Sequence, residues 1–148
     1  MKETFYERIG EAVCRERLTN GLEVCVVPKP GYAKKYAFFS TRYGGMDTRF
    51  CLDGQWLNTP AGIAHYLEHK LFENEDCDAF ERYARTGASA NAYTSFSQTA
   101  YLFTCTERVE ESLEILLDFV QKPYFTPETV AKEQGIIGQE IGMIEDDP

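Results

Sequence analysis

The sequence predicts an α+β fold in which helices pack on one face of a mainly antiparallel mixed sheet. Short runs rich in β-branched and aromatic residues are separated by turn residues, which is typical of antiparallel strands. Longer segments repeat apolar residues every three or four positions, which is typical of helices with one buried face. The strands are few for this number of long helices, so we expect an incomplete domain.

Length and composition indicate one globular domain or less. The chain has 148 residues, of which 43% are hydrophobic and 26% charged, and its net charge is −9. A strongly acidic chain without a basic stripe is a poor nucleic-acid binder. No apolar run approaches the about 20 residues that cross a bilayer, and residues 1–9 lack the pattern of a signal peptide. We therefore expect neither a nucleic acid nor a membrane as partner.

The cysteines indicate a cytoplasmic protein. There are five, an odd number, with scattered spacing and no Cys-x-x-Cys pair. Disulfide frameworks and cysteine-ligated zinc sites show more regular spacing. We therefore expect reduced thiols and a cytoplasmic location.

The first part of the chain predicts two strands. Residues 1–20 are polar and mixed, and they predict no regular element. Runs of β-forming residues over 22–27 and 35–43 predict strands, because proline or glycine follows each run. Residues 46–59 are predicted to be a loop, which holds Trp56.

A helix is predicted over about 60–72. Its start is assigned to Asn58 or Thr59 as the N-cap, followed by Pro60 at the first helical position. A row of apolar side chains would bury one face of this helix against a sheet; they are Ile63, Tyr66, Leu67 and Leu71.

The following segment predicts a short helix and a hairpin. The helix covers 78–85 and stops at Gly87. Two strands over 88–94 and 99–105 are predicted to pair antiparallel through the short connection between them.

Two further helices complete the prediction. Residues 107–121 predict an amphipathic helix, and Thr126 followed by Pro127 predicts the start of the last one. The apolar residues of the first of these helices are interpreted as core-facing; they are Val109, Leu113, Leu116, Leu117 and Val120.

The only two histidines form the pattern His65-x-x-Glu68-His69. On a helix, positions i, i+3 and i+4 share one face, so these three side chains point the same way. Two imidazoles so placed can hold one Zn²⁺, and a carboxylate beside the open metal position can accept a proton from a bound water. The order is that of the inverzincin motif. A pair of surface histidines is the alternative, but both histidines falling in one motif favours the metal site.

A third ligand is expected from the last helix. Glu133 and Glu140 lie seven residues apart and so share a helix face. A catalytic zinc usually takes three protein ligands. Either glutamate could complete the site, and the other could orient a ligand by a hydrogen bond.

The chain resembles the N-terminal part of the pitrilysin/insulinase family of zinc metallopeptidases, and most closely a bacterial branch. The resemblance covers most of the chain from about Leu22 onward. It is carried by the motif helix with its flanks at 62–72, by Gly-Ala-Ser-Ala-Asn-Ala-Tyr-Thr-Ser at 87–95, by Thr-Ala-Tyr at 99–101, and by the Glu133-x6-Glu140 pair.

The resemblance implies a Zn²⁺-dependent enzyme that hydrolyses peptide bonds. His65, His69 and Glu140 would then be the metal ligands. Glu68 would be the general base on the zinc-bound water, and Glu133 would support a ligand from outside the coordination shell.

The resemblance also implies a substrate strand and a second half. Asn91, Ala92 and Tyr93 fall on an edge strand that pairs with an extended peptide substrate by β-augmentation. In this family the catalytic chamber closes between two homologous halves, on one chain or on a partner subunit. We therefore expect residues 1–148 to be the N-terminal metal-binding domain of a larger peptidase, inactive or weakly active alone.

Two other functions are alternatives to a peptidase. A non-catalytic subunit or binding module of a heterodimeric peptidase is the alternative, although an intact metal motif argues against it. A structural zinc domain is disfavoured, because closed sites usually have four cysteine or histidine ligands.

Overall fold

A computed structural model of the chain describes residues 1–145. Its contacts divide into two compact units, residues 1–33 and the part that begins at Lys34. The first unit contains three strands, which are β1 (Lys2–Tyr6), β2 (Glu11–Arg17) and β3 (Glu23–Val26). The second unit contains, in chain order, β4 (Lys35–Thr41), β5 (Arg49–Leu52), β6 (Gln55–Asn58), α1 (Ile63–Leu71), α2 (Ala79–Thr86), β7 (Ser89–Thr94), β8 (Thr99–Cys105), α3 (Val109–Phe119) and α4 (Pro127–Glu145).

The first unit is an antiparallel sheet of order β1-β2-β3. The strand predicted over 22–27 is confirmed as β3, whereas β1 and β2 lie within residues 1–20, to which the sequence assigned no element. All five residues of β1 are exposed, and β2 has no fully buried residue. These strands are therefore defined by backbone pairing. They lack the alternation of apolar and polar residues from which a strand could be predicted in the sequence.

The second unit is built on an antiparallel sheet of order β4-β8-β7. β8 lies in the centre and pairs along its whole length with β4 and along most of it with β7. The predicted strand at 35–43 and the predicted hairpin over 88–105 are thus confirmed. Every strand pair among the described residues is antiparallel, so the mixed sheet was a wrong detail.

One face of this sheet forms the core. Tyr101, Phe103 and Cys105 alternate along β8 and point into a cluster with side chains from α2 and α3, including Tyr83 and Phe119. Helices α1, α2 and α3 all contact the strands of this sheet, and α4 packs on α1. The predicted α+β arrangement, with helices on one sheet face, is confirmed.

Residues 46–59 are not a loop. They form the hairpin β5–β6, which turns at Asp53 and Gly54 with φ of 51° and 81°. An Asp-Gly pair with two positive φ values is a favoured two-residue hairpin turn, so the sequence did contain the signal. The Arg49 guanidinium lies 4.9 Å from the centre of the Trp56 ring across this hairpin.

The motif helix α1 starts later than predicted. Asn58 ends β6, and the Thr59 backbone N–H donates to the Thr48 carbonyl at 2.8 Å, so neither residue caps the helix. Gly62 precedes the first helical residue with φ of 87°. The predicted cap at Asn58 or Thr59 and the predicted start at Pro60 were wrong, because the backbone at 58–59 is hydrogen-bonded within the preceding hairpin and its flanks.

The predicted end of α2 and start of α4 are confirmed, whereas α3 is two residues shorter at each end than the predicted 107–121. The Asp78 carboxylate accepts from the Phe80 N–H at 2.7 Å, and Gly87 ends α2 with φ of 74°. The Thr126 hydroxyl accepts from the Thr129 N–H at 3.2 Å at the start of α4. In α3 the predicted core face is rotated: Leu113 is exposed.

Asp118 joins two helices through charge. It accepts hydrogen bonds from Lys122 and from Arg82 of α2, the latter at 2.8 Å, and these two cations lower the pKa of its carboxyl. A carboxyl whose pKa is lower in the folded than in the unfolded state stabilises the fold above its unfolded pKa of about 3.9. The stabilisation is lost as the pH falls through the folded value.

We expect Asp118→Asn to lower the free energy of unfolding at pH 7 by at most about 1 kcal/mol, since the group is partly exposed. The difference from wild type should shrink as the pH is lowered towards 3. Urea unfolding at both pH values measures it. Glu111→Gln is the control, because Glu111 is exposed and its nearest cation, Arg108, lies 4.0 Å away. An equal loss at both pH values would contradict the ion-pair explanation.

None of the helices in residues 1–145 combines the length and apolar character needed to cross a membrane.

Candidate metal centre

One face of α1 carries His65, Glu68 and His69, as the helical spacing predicts. The Nε2 atoms of the two histidines lie 3.1 Å apart. Their rings are nearly perpendicular, with centres 4.6 Å apart. Both Nε2 atoms therefore lie close enough to share one point beside the helix.

Helix α4 brings a carboxylate to the same point. Oε2 of Glu140 lies 3.7 Å from Nε2 of His65 and 3.7 Å from Nε2 of His69. The three ligand atoms form a compact group, the one such group of histidine, cysteine or acidic side chains identified within residues 1–145.

Glu133 lies two turns before Glu140 on α4 and contacts Nδ1 of His69 rather than Nε2. Its Oε1 lies 2.9 Å from Nδ1 of His69, and its side chain is buried. A carboxylate that accepts the Nδ1 proton fixes the imidazole tautomer and leaves Nε2 free to bind a metal. The structure thus separates the two glutamates by position, although their roles stay a prediction.

Zn²⁺ fits this donor set. Zinc bonds of about 2.0–2.2 Å to nitrogen and oxygen place tetrahedral ligand atoms about 3.3 Å apart. The observed separations of 3.1 and 3.7 Å lie close to that value. Two imidazoles and one carboxylate are also a known set for catalytic zinc sites that keep a fourth position open.

Tyr66 holds α4 against α1. Its hydroxyl donates to the Val130 carbonyl of α4 at 3.2 Å. Burial, and then the negative charges of Glu133 and Glu73, raise the pKa of Tyr66. The hydroxyl therefore keeps the proton that this inter-helix hydrogen bond needs.

A buried lysine supports the same helix pair. Lys70 of α1 is fully buried, and its Nζ lies 2.6 Å from Oε2 of Glu73. The other oxygen of Glu73 lies 3.7 Å from Nζ of Lys132 on α4. The rings of Tyr124 and Phe125 lie 5.9 and 5.7 Å from the Lys70 ammonium, so the segment before α4 also packs on it.

Glu68 lies in the site but faces a different partner from the histidines. Its side chain is only 9% exposed, and its Oε2 accepts from the Thr94 hydroxyl at 2.5 Å. The hydrogen bonds within the described part of the chain leave Oε1 without a partner. This oxygen is therefore a free acceptor.

The predicted substrate residues lie on the edge strand β7. Asn91 and Tyr93 are exposed, whereas Ala92 is half-buried. Oδ1 of Asn91 accepts from the Ala92 N–H at 2.9 Å. The Ser95 N–H bonds to the Gln98 carbonyl, so alternation along this antiparallel pair turns the Ala92 N–H away from β8, to the open edge.

A cleft of about 410 Å³ adjoins His65, and its other lining residues are Gly45, Thr94, Ser95 and Phe96. The sequence placed Thr94 at the end of the expected substrate strand and gave Phe96 no role. Thr94 lies inside the motif at 87–95, which is part of the family resemblance. Its contact with Glu68, however, depends on how β7 and α1 pack and cannot be predicted from that motif.

Gly44 packs directly against the backbone of residues 95–98. It is buried, and a Cβ there would lie 2.5 Å from the backbone nitrogen of Gln98 and 2.5 Å from the Ser95 carbonyl. The backbone of residues 95–98 therefore depends on glycine at this position.

We expect Gly44→Ala to lower the free energy of unfolding by about 1–3 kcal/mol, because the added methyl group displaces rigid backbone. Gly45→Ala is the matched control: its Cβ would meet the Ser95 carbonyl at an ordinary 3.8 Å. Denaturant unfolding of both variants makes the comparison. Equal stability of the two variants would contradict the prediction, because it would show that the backbone of residues 95–98 shifts to accept the methyl group without loss of free energy.

Comparison with known sequences adds the family context. The family model described as Insulinase (Peptidase family M16) matches residues 57–148. An uncharacterized zinc protease of Bacillus subtilis, YmfH, is 54% identical over 150 residues, which cover 100% of this chain and 35% of the relative. Mouse mitochondrial-processing peptidase subunit beta is 30% identical over 108 residues, covering 64% of this chain and 22% of the relative. The chain thus spans about a third or less of the length of these relatives.

Solved structures give the same picture. An M16-like peptidase from Alicyclobacillus acidocaldarius matches with a TM-score of 0.89 and 48% identity over 93% of this chain and 33% of that one. Pitrilysin matches with a TM-score of 0.73 and 20% identity over 95% of this chain and 15% of that one, a likeness of fold alone.

Proposed function

The chain belongs to the insulinase family of peptidases, family M16, and on this premise we propose that it carries the zinc site of a metalloendopeptidase. The reaction is hydrolysis of peptide bonds in extended peptides. The observation that carries the proposal is the meeting of two histidine Nε2 atoms and one Glu140 oxygen within 3.1–3.7 Å, beside the helix α1 that also carries Glu68.

His65, His69 and Glu140 would hold the metal, and the relative YmfH is itself named a zinc protease. When bound, zinc polarises a carbonyl group and lowers the pKa of a water molecule to about 7. Glu133 would keep the proton of His69 on Nδ1, and so keep Nε2 available as a ligand.

Glu68 would act as general base and then as general acid. Its free Oε1 takes a proton from the attacking water, whose oxygen bonds to the peptide carbon. The same carboxyl then gives the proton to the leaving amine nitrogen as the C–N bond breaks. Burial keeps bulk water away from this carboxylate, which suits a group that exchanges one proton per turnover.

The substrate would lie along β7 as an added strand. The Asn91 side chain accepts a hydrogen bond from the Ala92 N–H, so a substrate carbonyl that pairs with this N–H would displace it. Asn91, Ala92 and Tyr93 are then substrate-binding residues. Because backbone groups make these contacts, sequence preference should be loose.

Residues 1–148 would form the N-terminal metal-binding domain of a larger peptidase. The chain spans 35% of YmfH, and another relative is named as a subunit, which supports a second half on the same chain or on a partner. By this proposal the domain alone cleaves peptides weakly or not at all. Five free thiols support a cytoplasmic location.

Metal removal tests the proposal. We expect the full-length protein to hold about one zinc ion per site and to cleave an unfolded peptide. A chelator should abolish cleavage, and added zinc should restore it. Metal content and peptide products are measured on the same samples. Zinc without cleavage, even with the family partner present, would favour the non-catalytic subunit, whereas cleavage by metal-free protein would reject the mechanism.

A further inference from the structure

We propose that the Thr94 hydroxyl is a positioning group that orients the Glu68 carboxylate for proton transfer. It would hold one carboxylate oxygen so that the other faces the attacking water. This inference rests on the proposed function, since the orientation of Glu68 matters only if that residue handles the proton.

The contact itself is short and protected. The Thr94 Oγ1 lies 2.5 Å from Oε2 of Glu68, a length typical of a hydroxyl that donates to an ionised carboxylate. Glu68 is buried and Thr94 is half-buried. A hydrogen bond in such surroundings is stronger than one exposed to water.

The neighbouring hydroxyl leaves the Thr94 proton for Glu68. Thr99 Oγ1 lies 3.3 Å from Thr94 Oγ1, but the Thr99 proton is donated to the Tyr43 carbonyl at 2.9 Å. Each hydroxyl has a single proton, so Thr99 offers Thr94 only lone pairs. Of the two acceptors open to Thr94, the Glu68 carboxylate is both nearer and charged.

The backbone fixes where this hydroxyl lies. Thr94 is the last residue of β7 and pairs with Thr99 at the start of β8, where Thr99 also pairs with Thr41 of β4. Thr99 is buried at this junction. A β-branched side chain on a paired strand has few rotamers, so Thr94 presents its hydroxyl in one direction.

Two functional parts of the site meet through this bond. β7 is the strand on which the substrate is proposed to lie, and α1 carries the base. Without the hydroxyl, the terminal torsion of Glu68 has a broad energy profile and its carboxylate can rotate away from the reacting water. The chemical step should then slow, while substrate pairing along β7 should not.

Thr94→Val tests the inference in the full-length protein, because it removes the hydroxyl and keeps the side-chain shape. We expect kcat for a peptide substrate to fall about 10–100-fold, the usual cost of losing an outer supporting partner. KM should stay within about threefold and zinc content should be unchanged. Thr94→Ser, which keeps the hydroxyl, should recover most of kcat.

Thr86→Val is the matched control. Thr86 also donates a hydrogen bond of 2.9 Å from a half-buried hydroxyl, in its case to the Tyr83 carbonyl at the end of α2. We expect its melting temperature to fall and its kcat to stay near wild type. The comparison separates lost stability from lost orientation.

Three results would overturn the inference: Thr94→Val with kcat near wild type, Thr94→Ser as slow as Thr94→Val, or loss of zinc together with activity. The last result would make Thr94 a structural support of the metal site. Glu68→Gln in the same assay distinguishes the two proposals. If Glu68→Gln is inactive and Thr94→Val is normal, only the positioning role fails; if Glu68→Gln is active, the proposed function fails.

Discussion

Glu68→Gln is expected to leave zinc bound and to abolish peptide cleavage by the full-length protein. Glutamine has nearly the same size as glutamate, and its side-chain oxygen can still accept from the Thr94 hydroxyl. An amide cannot take up a proton near neutral pH, so the general-base contribution of about 10²–10⁴-fold is lost. The three proposed ligands, His65, His69 and Glu140, are unchanged.

Zinc content and kcat/KM measured on one preparation decide the outcome. Glu81→Gln, an exposed glutamate of α2, provides a charge-matched control and should be active. Turnover by Glu68→Gln near the wild-type rate would remove Glu68 from the chemistry. Loss of zinc from this variant would instead make Glu68 a ligand.

Glu140→Ala is expected to lower zinc affinity far more than Glu133→Ala. The Glu140 oxygen lies 3.7 Å from both Nε2 atoms, whereas Glu133 reaches only Nδ1 of His69, at 2.9 Å. Loss of an outer partner typically costs about 10–100-fold in metal affinity. Removing a direct ligand should exceed that range, because it leaves two protein donors where a catalytic zinc usually has three.

Metal content after dialysis against a series of chelator concentrations gives the two affinities. Glu133→Gln adds a control that keeps a hydrogen-bond acceptor beside His69. It should fall between wild type and Glu133→Ala. A reversed order of Glu133→Ala and Glu140→Ala would exchange the roles of the two glutamates.

The elements that the sequence predicted well begin or end at residues whose contacts are local in sequence. Asp78 caps α2, Gly87 ends it in a left-handed conformation, and Thr126 caps α4, each through contacts within a few residues. The family resemblance, drawn from local motifs, is likewise confirmed by the match over residues 57–148.

The missed elements depend on pairing or on exposure. β1 and β2 have few buried side chains, so their pattern gives no signal of a strand. The start of α1 was misplaced because the Thr59 N–H bonds to Thr48, eleven residues away in sequence. No local cap rule takes account of such a partner.

The candidate site likewise has one part that the sequence predicts and another that depends on tertiary packing. Helical spacing alone places His65, Glu68 and His69 on one face. The way α4 packs on α1 determines which of the two glutamates faces the Nε2 atoms. Their spacing of seven residues puts both on one helix face and therefore cannot predict which one it is. The contact between Thr94 and Glu68 likewise needs the packing of a strand on a helix.

The hydrogen bond within the Asn91–Ala92 pair has a consequence for the free protein in solution. An open strand edge is a template on which other chains aggregate. By holding the outward N–H of Ala92, the Asn91 side chain leaves such a chain one donor fewer. If peptides pair along β7 as proposed, this intramolecular acceptor would also compete with a cleaved product for that donor and so favour product release. The same amide would thus protect solubility between substrates and promote turnover after each one.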